Sequence, residues 1–341
     1  MEDEGRYFRI AVGVIVLFIV LVVLSAARSI IFPFILAVFI SYVLDPVFAA
    51  LVKLKVPKPA ATALVLLAAF FIFYLLGAVV FASAKTLAAE LPRFGQRLTD
   101  IAGALEKSFA GLPLRLRITS YLDQVDLGDI AALVLSSMGP FVGLVSKLFL
   151  LFLFLTFIVA GRGRGTDKIR KALAPAQSAR VMEALGNINI QVRRYLVIKT
   201  VMSLINGITV WVVLEIFRVD FALLFGFLAF LLNYIPNIGS TVAAVLRVGF
   251  AFFQFGTLWV PLWILVITVG LDLVMGNFVE PRVVGKGLGM SPLLVLFSLV
   301  FWGWLWGIPG MIMAVPLMAV IKIVCQNIPV LRHVAVLMGG A

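Results

Sequence analysis

Charge is scarce in this chain. Only 13% of its 341 residues are charged, whereas 63% are hydrophobic and the mean hydropathy is +1.16. That balance excludes a water-soluble domain. The single cysteine, Cys325, excludes an intramolecular disulfide, and one histidine, His333, argues against a metal centre or histidine-based catalysis. No nucleophile–base pair stands out, so an enzyme is not expected. No GxxxxGK[ST] motif occurs, which argues against ATP-driven pumping by this chain alone. The short alternating runs of an outer-membrane barrel are also missing.

What is present is a series of apolar runs near the roughly 20 residues that a helix needs to cross the hydrocarbon. The expected fold is an all-α integral membrane protein, polytopic, with about eight transmembrane helices, Pro/Gly-broken or re-entrant segments, and amphipathic helices in the 85-136 and 162-195 regions. It reads as one polytopic domain, 1-341, whose partner is the lipid bilayer. The net charge of +12 sits mostly in short inter-helix loops. It therefore reads as topology rather than as affinity for nucleic acid.

In chain order, Glu2, Asp3 and Glu4 offset Arg6 and Arg9 ahead of the apolar run from Ile10 to Ala27, which reads as an uncleaved first helix. Ile30 to Val52 is expected to be a second span interrupted at Pro33 and at Asp45-Pro46. Lys53, Lys55 and Lys58 then mark the cytoplasmic side. Pro59 to Ala84 is a third span. Residues 85-136 read as an external amphipathic insert, with one apolar stripe through Leu87, Leu91, Phe94 and Leu98. That stripe suits packing on the protein, lying on the membrane, or subunit contact. Gly139 to Ala160 carries Lys147, which either snorkels or is buried against a partner.

Residues 162-195 form a basic cytoplasmic amphipathic segment. Between Arg162 and Lys199 nine basic residues face only Asp167 and Glu183. Val181, Leu185, Ile188, Val192 and Tyr195 form its apolar face, suited to anionic headgroups. In the fifth span, Val197 to Phe217, the residues Ser203, Asn206, Gly207 and Thr209 suit close helix packing and interhelical hydrogen bonds. Both termini are expected in the cytoplasm.

The chemistry concentrates in 221-325, a C-terminal motif-bearing transport core. Phe230 to Val245, FLLNYIPNIGSTVAAV, places Asn233, Asn237, Ser240 and Thr241 beside Pro236 and Gly239. Pro236 frees backbone carbonyls that lipid cannot satisfy, so such a break belongs inside protein or beside water. Asn233, Asn237 and Ser240 are candidate substrate contacts, with Pro236 and Gly239 as the hinge. Asp272, near the middle of the next apolar run, is a carboxylate at bilayer depth and hence a candidate for substrate binding and for ion or proton coupling.

Thr268, Asp272, Gly276 and Glu280 recur at intervals of four, along one drifting helix face. Glu280 is a second coupling candidate, with a solvated pair to Arg282 as the alternative. The last apolar run is broken at Gly307-Ile308-Pro309-Gly310, and its IPGMIMAV echoes IPNIGSTVAAV. Pro309 and Gly310 therefore read as a second hinge. Trp302, Trp304 and Trp306 suggest an interfacial belt.

NYIPNIGS, NFVEPRVVGKGLGMSP from Asn277 to Pro292 and WGIPGMIMAVP from Trp306 to Pro316 resemble the AI-2E transporter family, also called the PerM-type permeases. The likeness extends to FPFILAVFISYVLDPV at Phe32 to Val47 and LINGITVWVV at Leu204 to Val213. It implies a bacterial inner-membrane protein of about eight helices, assembled as a homo-oligomer, with a pentamer as the stoichiometry it suggests. Members of the family export autoinducer-2 or exchange sodium or lithium for protons. Arg247 stands where the family usually has a small residue or proline, and Asp272 where an uncharged polar residue is common.

Three classes of function follow. One is a secondary exporter of a small polar solute. Another is a sodium or lithium/proton antiporter in which cation and proton compete at Asp272. The third is a non-transporting membrane scaffold. No cofactor is expected in any of them, only Na+, Li+ or H+ as a transported or coupling ion.

Overall fold

A chain in hydrocarbon must satisfy its own backbone hydrogen bonds, and this one does so with helices. The computed structural model describes residues 2–109, 141–161, 171–172, 174–235, 238–279, 282 and 290–339. Eleven α-helices run through them: α1 Glu2–Ala26, α2 Arg28–Lys53, α3 Lys58–Phe109, α4 Phe141–Ala160, α5 Pro175–Ile216, α6 Ala222–Leu232, α7 Ile238–Phe255, α8 Trp259–Val274, α9 Pro292–Trp306, α10 Ile308–Asn327 and α11 Arg332–Leu337. Among the described residues the only β pairing is the isolated bridge between Met290 and Gly339. Among the described residues, six helices are long and apolar enough to cross a membrane, namely Arg28–Lys53, Lys58–Leu87, Pro175–Ile216, Ile238–Phe255, Trp259–Val279 and Ile308–Asn327. The protein is an all-α, multi-pass membrane protein.

Four expected interruptions are absent. Pro33 and Pro46 both lie inside the continuous α2. Each proline removes one backbone hydrogen bond, and the flanking turns carry the helix through. The third span and the start of the amphipathic insert form one helix, α3, of 52 residues. At 1.5 Å per residue it is about 78 Å long, more than twice the hydrocarbon thickness. Likewise the basic segment and the fifth span merge in the 42-residue α5. A fall in hydropathy marks where a helix leaves an apolar medium, not where its hydrogen bonds end. Residues 110–136 of the insert and 162–170 of the basic segment lie outside the described residues, as does the side chain of Lys147.

Two compact units emerge. The first comprises Met1–Leu67, Val145–Val197 and Leu288–Ala341; the second comprises Ala68–Leu144 and Ile198–Gly287. In the first, Ala37 of α2 packs with Leu151, Leu155 and Val159 of α4, and α9 packs along α10. In the second, Val210 and Leu214 of α5, Phe225 and Ala229 of α6, Phe250 and Ala251 of α7 and Ile264 of α8 form a dry core. Gln254 fixes the turn entering α6, accepting from Asp220 N at 2.8 Å and donating to the Arg218 carbonyl at 3.0 Å. The apolar core thereby sets the positions of four helices whose polar residues lie elsewhere along their length.

Candidate functional site

The first polar group of the second unit is built by α5 and the end of α6. Thr200, Ser203 and Asn206 are three apart and share one face of α5. Gly207, next along, lets α6 approach closely: a Cβ there would lie 2.8 Å from the Gly226 carbonyl oxygen. This approach brings Asn233, just past α6, onto the polar face. Its Nδ2 donates to Ser203 Oγ at 3.0 Å, and its Oδ1 accepts from Asn206 Nδ2 at 3.3 Å. Tyr234 adds a bond from its hydroxyl to Thr200 Oγ1 at 2.8 Å. Ser203 and Asn206 are buried. An asparagine amide offers two donors and two acceptor lone pairs. The two bonds to α5 fix the Asn233 plane and leave one N–H and one lone pair.

A glycine is required at 239 for space, because a Cβ there would collide with the Leu232 carbonyl oxygen at the end of α6. Ser240 follows in the first turn of α7 and is half-buried. Pro236 and Asn237 lie outside the described residues, as does Glu280.

The second polar group joins α7 to α8. Arg247 is 1% exposed, and its Nε donates to Thr268 Oγ1 at 2.9 Å while Nη2 donates to Asp272 Oδ2 at 2.7 Å. Thr268 donates in turn to the Ile264 carbonyl at 2.6 Å. Burying an ion pair is tolerable only with close geometry and further hydrogen bonds, and Thr268 supplies one of these to the guanidinium. The carboxylate is less complete: Asp272 Oδ1 is buried and has no hydrogen-bond partner among the described residues. Such an atom costs about 1–3 kcal/mol, more when charged, until a donor reaches it. Just beyond, Met275–Val279 widens into a π-helical turn, a distortion frequent at functional sites.

Asn233 and Ser240 flank the α6–α7 connection, whereas Asp272 is bonded to Arg247, seven residues and about 10 Å of helix rise beyond Ser240. Arg247 was missed as a site residue by sequence reasoning. Its signal was a cation inside an apolar run, which demands a buried partner. Thr200 and Tyr234 were also missed, because a hydroxyl in a membrane helix gives no distinctive sequence signal.

The second break lies in the first unit. The chain turns at Gly307, with φ 71° and ψ −152°, a conformation essentially confined to glycine. Pro309 starts the next helix, and a Cβ on Gly310 would meet the Trp302 carbonyl oxygen. Trp302 and Trp306 are buried, with ring centroids 4.8 Å apart, and only Trp304 is outwardly exposed. The expected tryptophan belt is therefore limited to Trp304. Trp306 Nε1 donates to the Leu24 carbonyl at 3.2 Å, tying α9 to α1.

With this geometry in hand, the comparisons are consistent. Residues 12–329 match the family described as AI-2E family transporter. A "Putative transport protein" of Haemophilus influenzae is 31% identical over 99% of this chain and 98% of its own length. The "AI-2 transport protein TqsA" of Escherichia coli is 32% identical over 98% and 96%. The "Putative transport protein YhhT" of Escherichia coli is 31% identical over 95% and 92%. The long apolar helices, their two breaks and these full-length similarities together make the chain a member of the AI-2E transporter family.

Proposed function

We propose that the protein is a secondary exporter of a small polar solute such as autoinducer-2, acting in the bacterial inner membrane with both termini cytoplasmic. The observation that carries this reading is the Arg247–Asp272 pair, which brings no net charge into the buried site yet leaves Oδ1 without a hydrogen-bond partner, an acceptor that a hydroxyl donor would satisfy. Asn233, Asn237 and Ser240 are the further solute contacts in this reading. Pro236 and Gly239, with Pro309 and Gly310, supply the hinges. The similarity to TqsA supports the solute class. A homo-oligomer is the expected assembly, with a pentamer the stoichiometry to test.

The competing reading is sodium or lithium/proton antiport through Asp272, with Glu280 as a second carboxylate. Oδ1 favours it in that a bare cation also seeks an open carboxylate oxygen. The guanidinium weighs against it. At an effective dielectric of 20, the repulsion of a cation about 4 Å from Arg247, about 4 kcal/mol, offsets much of the attraction of the Asp272 carboxylate, so the neutralised pair holds a cation less well than a lone carboxylate would.

Reconstituted vesicles separate the readings. Autoinducer-2 efflux is expected to fall about tenfold in Asn233→Ala and in Asp272→Asn, the scale of one or two lost hydrogen bonds. Unchanged efflux in both variants sinks the exporter. Sodium- or lithium-driven proton movement that Asp272→Asn abolishes establishes the antiporter. Silence toward all of these with assembly intact selects the scaffold.

A further inference from the structure

The C-terminal end of the first unit holds a pocket that the transport site does not use. After α10 the chain turns through Pro329–Leu331 into α11, which packs back on α10. The end of this strap is fastened: Gly339 bridges to Met290, and Ser291 N donates to the Met338 carbonyl at 3.3 Å. The fold-back leaves an open pocket of about 360 Å³ lined by Lys322, Gln326, Arg332, Ala335, Val336 and Gly339. Lys322 and Gln326 are one turn apart on α10 and share a face. Lys322 is 4% exposed as a whole residue, and Arg332 enters from the start of α11.

Both formal charges in this lining are positive, and Gln326 adds a neutral amide donor. Two cations and an amide converging on one cavity match a multiply accepting anion, and the guanidinium fork suits phosphate oxygens. Beside the pocket, Val330 and Leu337 are each 84% exposed and Val336 is 72% exposed. An apolar rim next to a basic pocket suits a ligand that carries an anionic head and acyl chains. Pockets of this kind at the ends of membrane helices hold acidic headgroups.

We propose that this pocket binds the phosphate group of an anionic phospholipid, with Lys322 and Arg332 as the charged contacts and Gln326 as a neutral donor.

The test uses the full chain, purified in non-ionic detergent and stripped of lipid. It is titrated with phosphatidylglycerol, phosphatidylcholine or inorganic phosphate, and lipid adducts are counted by native mass spectrometry. Phosphatidylglycerol is expected to bind about tenfold more tightly than phosphatidylcholine, and Arg332→Gln to erase about that factor. Arg332 is exposed, so this substitution leaves the fold intact. Lys322→Gln is expected to weaken binding and Lys322→Arg to retain it, while Lys53→Gln, at an exposed cation closing α2, changes nothing. Arg332-dependent binding of inorganic phosphate without any lipid preference assigns the pocket to the free anion and overturns the lipid. Equal phosphatidylglycerol binding by wild type and Arg332→Gln, or equal losses in Arg332→Gln and Lys53→Gln, overturns the site.

Discussion

The two helix breaks, after α6 and after α9, use the same backbone device with opposite linings. In each, a short apolar helix ends and the next begins within a few residues. A glycine in the new first turn, Gly239 or Gly310, then lies against a carbonyl oxygen of the preceding helix, Leu232 or Trp302. The sequence echo of IPNIG and IPG reflects this shared steric need. Around the first break are Asn233, Tyr234, Ser203 and Asn206, bonded to one another or to Thr200. Around the second are Trp302 and Trp306, whose rings are in contact, and Met311, whose side chain lies against Gly303. The backbone break is therefore a structural solution open to either unit, and the side chains alone give one a polar lining and the other an apolar one.

The largest test of that contrast is at the ion pair of the polar unit. Arg247→Met leaves the Asp272 carboxylate buried without its cation, and thermal unfolding in detergent is expected to register a loss of about 3–5 kcal/mol. The double variant Arg247→Met/Asp272→Leu is expected to recover most of it. A double variant no more stable than the single one means that the two charges are not energetically coupled.

Next come the glycines. Gly239→Ala and Gly310→Ala are each expected to cost about 1–3 kcal/mol, as overpacking against a backbone atom does. A cost at only one of them breaks the proposed equivalence of the two turns. Asn233→Ala leaves Ser203 and Asn206 each short of a bond and is expected to cost about 1–2 kcal/mol, with a parallel loss of solute efflux.

The smallest effect is expected at Trp302→Phe. Trp302 Nε1 is buried without a hydrogen-bond partner among the described residues, so removing that donor offsets the lost volume, and the net change stays within about 1 kcal/mol. Efflux that tracks Trp302 rather than Asn233 reverses the assignment of the polar break.

Much of this was legible in the sequence. Hydropathy identified a helical membrane protein, and the Pro/Gly clusters located both breaks to within a few residues, because backbone chemistry at a proline or glycine is local. Ser203, Asn206 and Gly207 were identifiable as an interhelical contact face for a similar reason: small and polar residues in an apolar helix have few alternatives. Helix continuity was not legible. The fall in hydropathy from Lys85 within α3 and the polar start of α5 signal a change of solvent, and a helix passes through such a change while its own hydrogen bonds are kept.

The pairing of Arg247 with Asp272 was not legible either. The two residues are 25 positions apart on different helices, and no local spacing links them. The resemblance to the family marked each as an expected departure from its usual residue, and the two are bonded to each other.

By itself, the sequence determined the solvent, the helical class, the family and the two Pro/Gly-marked breaks after α6 and α9, though not that Pro33 and Pro46 stay inside a continuous helix. Tertiary structure alone decided that the charge at Asp272 is met by Arg247, that Asn233 is held by α5, and that Trp302 and Trp306 face inward. Those outcomes depend on which helix faces pack together, and packing is set by the apolar cores around Phe250 and around Leu155 rather than by the polar residues it brings together.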